Sequence, residues 1–335
     1  MRALVVGLGS IGIRHLNNLK ALSVEDLSVC RRRNLPLHTD VDLDGITVFL
    51  DYQQALQSRP DIVVVSNPTS MHAKYARLAL DMGADIYLEK PVSHDVMNIP
   101  DIQAAAQKHG SICAIGCQLR FDPTLEAVKQ WLNTDRIGKL LTVSCDSGEY
   151  LPDWHPWEDY RNSYAARSDL GGGVILTVIH EFDYLYWLFG PIERVYAEGG
   201  ALTSLAMDVE DTVMALFKTR RGVPIHLRLD YWRKPSVRCL NIVGEDGEIN
   251  WDYYQGKATI VDRSGNITDS VERNDSWDRN DMFIAAMRDF LDAIRTRKNP
   301  RTPLQEGIDV LRIAMATRDS IELSSSVSLD SITAE

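Results

Sequence analysis

Ala3-Leu4-Val5-Val6-Gly7-Leu8-Gly9-Ser10-Ile11-Gly12 decides how the N-terminal part of this chain is read. Four apolar residues make a strand suited to burial on both faces. Three glycines then turn it into a helix. Gly7 permits the tight turn, Gly9 lets the backbone approach an anion, and Gly12 lets the helix pack close to the strand. The N–H groups of Ser10 and Ile11, which open that helix, face the anion. Strand, glycine turn and helix in this order suit the pyrophosphate of a dinucleotide; the alternative is an ordinary strand–helix turn.

Working outward, the same alternation continues. Strand-like runs recur at Leu27–Cys30, Thr47–Leu50, Ile62–Val65, Ile86–Leu88 and Ile112–Ile115. Helical stretches such as Met71–Met82 and Val96–Lys108 lie between them. This pattern predicts a parallel sheet with helices on both faces over residues 1–120. Beyond it the pattern changes. A helix starts at Asp122-Pro123. Longer alternating strands follow at Val209–Thr219, Val223–Tyr231, Val237–Val243 and Ala258–Asp262, as in an antiparallel sheet. Val174–Phe189 reads as one buried helix, and Asp281–Arg297 and Leu304–Leu323 as two closing helices. Residues 121–323 are expected to form a second domain, with helix 304–323 packing back on the first and 324–335 a loose tail.

Composition narrows the class. A formal charge of −11 over 335 residues leaves no cationic excess to neutralise nucleic-acid phosphates. No apolar run approaches the ~18 residues of a membrane-spanning helix. Arg2 leads straight into core, without the pattern of a cleavable signal. The five cysteines, mostly in strand-like runs, suggest reduced thiols in a cytoplasmic enzyme. The histidines show no metal-ligand spacing, so no metal is expected.

Three further features carry chemistry. Arg31-Arg32-Arg33 ends the second strand, where an NAD site usually has a carboxylate for the ribose 2′-OH. Guanidinium groups at Arg31 and Arg32 suit a 2′-phosphate, which predicts NADP over NAD; a solvated charge run is the alternative. Glu89-Lys90-Pro91 follows the fifth strand, at the end where ligands collect. A lysine there faces a nicotinamide ring and can bind or protonate a substrate oxygen. Finally, Thr177 and His180 form a polar stripe on an apolar helix, with Asp183 and Tyr184 beside them. Such a stripe is either a site wall or a set of satisfied core polars. Upstream, the segment from Tyr150 to Arg161 is rich in aromatic and charged groups. Trp157, Tyr160 and Arg161 are expected to approach a sugar-like substrate, or to form an arm on a neighbouring subunit.

Together these residues resemble the glucose–fructose oxidoreductase / inositol dehydrogenase / MocA family over nearly the whole chain. The resemblance implies a Rossmann domain plus an α+β domain with a mostly antiparallel open sheet, through which a homodimer or homotetramer forms. It implies reversible hydride transfer between NADP (or NAD) and a carbon of a small sugar or cyclitol. Lys90 and His180 would be the catalytic pair, with Thr177 lining the substrate. Asn67, Pro68, His72, Glu89 and Lys90 would join Gly7, Gly9, Ser10, Ile11 and Gly12 at the cofactor. Arg120, in Gln118-Leu119-Arg120, would meet the substrate. Similar loops accompany enzymes of surface-glycan and acidic-sugar biosynthesis, so a nucleotide-linked or amino sugar is plausible. Thr177 stands where the family commonly has Asp. That leaves His180 without a carboxylate orienter at that position, with Asp183 as a candidate. It also keeps a cofactor-retaining hydrolase or lyase, and a non-catalytic cofactor sensor, in view.

The arginine run generates the first test. Michaelis constants for NADP should be lower than for NAD. Arg31→Ala should raise the NADP constant about tenfold while leaving NAD nearly unchanged, the effect of losing one charged contact. A clear NAD preference that survives the substitution removes the argument.

Overall fold

A computed structural model describes residues 1–31 and 41–331 of the chain. It divides into two compact units: residues 1–118 with 279–308, and residues from 119 to 278 and from 309 onward. Arg32, expected at the cofactor, lies outside the described residues.

The first unit alternates as read from the sequence. Its elements are β1 (Arg2–Val6), α1 (Ser10–Ala21), β2 (Asp26–Cys30), β3 (Thr47–Phe49), α2 (Tyr52–Gln57), β4 (Ile62–Val65), α3 (His72–Asp81), β5 (Asp85–Leu88), α4 (Ile99–His109) and β6 (Cys113–Ile115). The strands are parallel in the order β3-β2-β1-β4-β5-β6. Every residue of β4 and β5 is buried, which is why Ile62–Val65 and Ile86–Leu88 run without polar alternation. The chain steps one way from β1 to β3 and the other way from β4 to β6. The carboxyl ends of β1 and β4 therefore flank a switch point, where open α/β sheets hold their ligands.

The second unit opens with α5 (Pro123–Asn133), whose N-cap Asp122 accepts the N–H groups of Thr124 and Leu125 at 2.9 and 3.2 Å. It continues with β7 (Leu140–Gly148), α6 (Val174–Thr177), α7 (His180–Phe189), β8 (Ile192–Gly200), β9 (Thr212–Thr219), β10 (Pro224–Asp230), β11 (Val237–Gly244), β12 (Gly247–Asp252), β13 (Lys257–Asp262) and β14 (Ile267–Glu272). With β15 (Val327–Ser328) these strands form one sheet in the order β14-β13-β12-β11-β7-β10-β9-β8-β15. Only the β7–β10 pair is parallel. Alternate residues of β8 to β11 are buried, so one face carries the core.

One expectation is corrected here. Val174–Phe189 is not one helix: it breaks at Val178–Ile179, where Val178 leaves helical geometry at φ −100°, ψ 34°. Four of the six residues from Val174 to Ile179 are Val or Ile, whose branched Cβ weakens helix formation. The helix that returns to the first sheet is α8 (Arg279–Thr296), packed on α1 and β5. The last helix, α9 (Leu304–Leu323), starts in the first unit, but its residues from Asp309 belong to the second.

Trp251 on β12 is fully buried and donates its indole N–H to Thr124 Oγ1 on α5 at 2.8 Å. Trp251→Ala should cost about 3–5 kcal/mol in denaturant unfolding, from lost apolar burial and the cavity left behind. A loss below about 1 kcal/mol would contradict this packing.

Candidate functional site

At the switch point, the glycine turn is shaped by backbone contact. Gly7 has φ +91°, and a Cβ there would lie 2.8 Å from Ser66 O, at the carboxyl end of β4. A Cβ on Gly12 would fall on the Gly7 carbonyl oxygen. Both positions are glycine because two backbones meet with no room for a side chain. Gly9 is different. Nothing lies within 4 Å of where its Cβ would be, and its backbone is extended at φ −75°, ψ −176°. It caps α1 with no side-chain hydrogen bond, and no acidic residue occupies the helix's first turn. The N–H groups that lead α1 therefore point from a helix's positive end, with no acidic side chain in the first turn to compete for them.

Asn67 and Pro68 are half-buried on the loop after β4. The Asn67 side-chain amide is shielded, yet neither its nitrogen nor its oxygen has a hydrogen-bond partner among the described residues. A shielded, unpaired amide costs about 1–3 kcal/mol, which a ligand's polar group would recover. The open space at Gly9 and this amide both fit a bound dinucleotide, so the residues present match the group the glycine turn implies. Arg31, after β2, is half-buried, with its backbone N–H on Phe49 O at 3.0 Å.

The Glu89-Lys90-Pro91 turn follows β5, which lies beside β4. Lys90 is half-buried. Glu89, expected among the cofactor contacts, is buried with its carboxylate turned into the protein. Its carboxylate meets His15 Nε2 of α1 at 2.7 Å and accepts the Lys90 backbone N–H at 3.3 Å. It also fills the space where a Gly116 Cβ would be, 2.8 Å from Oε1. Burial opposes its charge, but the His15 hydrogen bond and the charges of His15, Lys90 and His72 outweigh burial and hold its pKa below the usual value. His72 is likewise turned inward: its Nδ1 lies 2.6 Å from Pro91 O and its Nε2 2.8 Å from Asn67 O. Both residues shape the walls of the crevice. The importance of His15 was legible only as a buried position, Gly12-His15-Leu16-Leu19 following helical spacing.

In the second unit, His180 is the first residue of α7 and Thr177 the last of α6; both are buried. The helix break between them replaces the continuous stripe expected from sequence. The buried Tyr231 hydroxyl of the same unit donates to Ala165 O at 3.5 Å. Arg120 grips the Asp183 carboxylate with Nε at 3.0 Å and a terminal nitrogen at 2.7 Å. Arg120, expected at the substrate, is only 1% exposed and forms a fork that pins α7 from the segment before α5. Glu181, next to His180, is pinned in turn by Arg238 of β11 at 2.7 Å. Sequence reasoning missed Arg238, which carries no local signal. The loop after β7 forms four 3-10 turns between Leu151 and Leu170. Its Trp157 is 63% exposed, and the Tyr160 hydroxyl accepts the Ala206 N–H at 3.3 Å. Arg161 pairs with Asp159 and holds that carboxyl down to about 2. Arg161, Arg167 and Met207 line an open cavity of about 580 Å³.

Comparison with known proteins follows the same division. The family described as "Oxidoreductase family, NAD-binding Rossmann fold" matches residues 1–117, and "GFO/IDH/MocA C-terminal domain" matches residues 125–250. Myo-inositol 2-dehydrogenase of Thermotoga maritima is 24% identical, covering 99% of each chain. D-xylose 1-dehydrogenase (NADP(+)) 2 of Haloferax volcanii is 22% identical over 97% of this chain and 99% of its own. A structure of levoglucosan dehydrogenase in complex with NADH shares the fold, with a TM-score of 0.87, 16% identity and 98% and 99% coverage.

The two glycines predict opposite failures. Gly12→Ala should destabilise the chain by about 1–3 kcal/mol, because backbone must move. Gly9→Ala should leave the melting temperature within a degree or two (~0.5 kcal/mol) yet weaken NADPH binding at least tenfold. Equal effects on folding from the two would contradict the geometry.

Proposed function

Because the chain belongs to the GFO/IDH/MocA oxidoreductase family, we propose that it is an NAD(P)-dependent dehydrogenase or reductase of a sugar or cyclitol, with NADP preferred. The observation that carries this reading is the array at the carboxyl ends of β1, β4 and β5: the open step at Gly9, the unpaired amide of Asn67, and Lys90. Gly9, Ser10 and Ile11 hold the pyrophosphate through backbone N–H groups. Asn67 gives its amide to the cofactor, and Arg31, with Arg32, takes the 2′-phosphate. When bound, the nicotinamide supplies or accepts the hydride.

The chain's own residues move the proton. Lys90 holds the substrate hydroxyl and takes its proton on oxidation, or returns one on reduction. His180 shares that task as a hydrogen-bonding and proton-carrying group. Asp183 is already engaged with Arg120. Thr177 stands where the family commonly has a carboxylate, so Lys90 carries the larger part of the proton transfer. Trp157, Tyr160 and Arg161 receive the rest of the substrate, which favours a sugar bearing an acidic, amino or nucleotide substituent.

An open sheet supports a second copy of this chain as partner. Met214 and Leu216 on β9 are 50% and 56% exposed on the face opposite the core, with Tyr196 of β8 beside them. No disulfide joins the five cysteines, four of which are buried, and this suits a reducing compartment.

Lys90→Ala should lower kcat by about 10²–10⁴-fold and His180→Ala by a smaller factor, with folding unchanged by circular dichroism. The assay screens sugars, polyols and nucleotide sugars with NADP⁺ and NADPH by cofactor absorbance. Full turnover by both variants on the best substrate would refute the assignment.

A further inference from the structure

Two carbonyl oxygens face one buried ring. His72 Nδ1 lies 2.6 Å from Pro91 O and Nε2 lies 2.8 Å from Asn67 O. A carbonyl oxygen only accepts. A neutral imidazole carries a single N–H, so it donates to one of these carbonyls and turns a lone pair toward the other. An imidazolium donates to both. The carbonyls belong to separate loops. One follows β4 and bears the unpaired Asn67 amide; the other follows β5 and closes the turn that bears Lys90.

We propose that His72 is a positioning residue for Lys90: its ring ties the Asn67 loop to the Lys90–Pro91 turn, by one hydrogen bond when neutral and by two when protonated. This rests on reading those loops as the cofactor's seat. The loops then move as one piece when the tie is complete, and cofactor affinity follows the charge on the ring.

The charged groups acting on the ring are Glu89 and Lys90. Burial pushes the His72 pKa below its ordinary value; the Pro91 and Asn67 carbonyls and the Glu89 carboxylate pull it up, and the Lys90 ammonium pushes it down. Burial wins, so the second hydrogen bond is gained on acidification, below the ordinary histidine value of about 6.5. The countercharge is Glu89: burial opposes its charge, but the hydrogen bond and charge of His15, with Lys90 and His72, outweigh burial and keep its pKa below the usual value. The sign follows: the tie tightens as pH falls, and cofactor affinity weakens as pH rises through the His72 value.

The test uses the full chain. NMR of isotope-labelled histidine nitrogens counts the ring protons of His72 from neutral to acidic pH, and NADPH dissociation constants are measured by fluorescence at each pH. His72→Gln places an amide nitrogen near Nε2 and His72→Asn near Nδ1, so each keeps one donor and neither titrates there. The expected result is a ring that passes from one N–H to two on acidification. NADPH binding should tighten about three- to tenfold over the same range, the worth of one added hydrogen bond. That pH dependence should be flat in both variants. His72→Ala should raise the cofactor KM about tenfold with a smaller change in kcat. A ring holding one N–H down to the acid limit of folding would overturn the proposal. So would a pH profile of NADPH binding that persists unchanged in His72→Gln. If the wild-type chain binds neither NADPH nor NADH, the functional reading fails, while the ring-proton count, which needs no variant to fold, still decides the tie.

Discussion

One carbonyl oxygen governs the first unit. Gly7 O occupies the place where α1 would carry a side chain at its third residue, so the helix can approach β1 and β4 only if that residue is glycine. From this contact the rest follows. The helix start is aimed along the switch point of the sheet, Gly9 is left as an open step, and the ends of β4 and β5 come within reach of the same space. The Ser66 hydroxyl donates to Val6 O and Gly7 O at 2.9 and 3.0 Å, so β4 holds the turn in place from the side.

Around that crevice the protein spends its buried charges on holding backbone. Glu89 with His15 braces the Lys90 turn from beneath, and His72 braces it from α3. The second unit does the same for α7 with Arg120–Asp183 and Arg238–Glu181. Buried ion pairs of this kind add little net stability over apolar packing, but removing one partner costs about 3–5 kcal/mol. Their use is to fix direction. A helix pinned at Glu181 and Asp183 has little freedom to turn His180, the residue that precedes both.

Much of this was legible in sequence because the governing constraint is local. A strand, three glycines and a helix fit within Ala3–Leu19, and the apolar runs of β4 and β5 announce burial on both faces. The second sheet was legible where strands alternate cleanly, as in β9 and β10, and less so in β14, whose outward residues are mostly polar. The roles of single side chains were harder to read. Glu89, His72 and Arg120 sit at motif positions, yet their partners lie 74, 19 and 63 residues away. No spacing rule shows that a carboxylate or guanidinium will be used up inside the fold. The break between Thr177 and His180 was missed because periodicity cannot register a two-residue interruption in an otherwise apolar run.

The most direct measurement is a structure of the chain with bound NADPH. The account predicts the pyrophosphate against the backbone N–H groups from Gly9 to Ile11, the Asn67 amide hydrogen-bonded to the cofactor, and the nicotinamide ring beside Lys90. A dinucleotide seated away from Gly9, or a ring that leaves Lys90 out of contact, would contradict it.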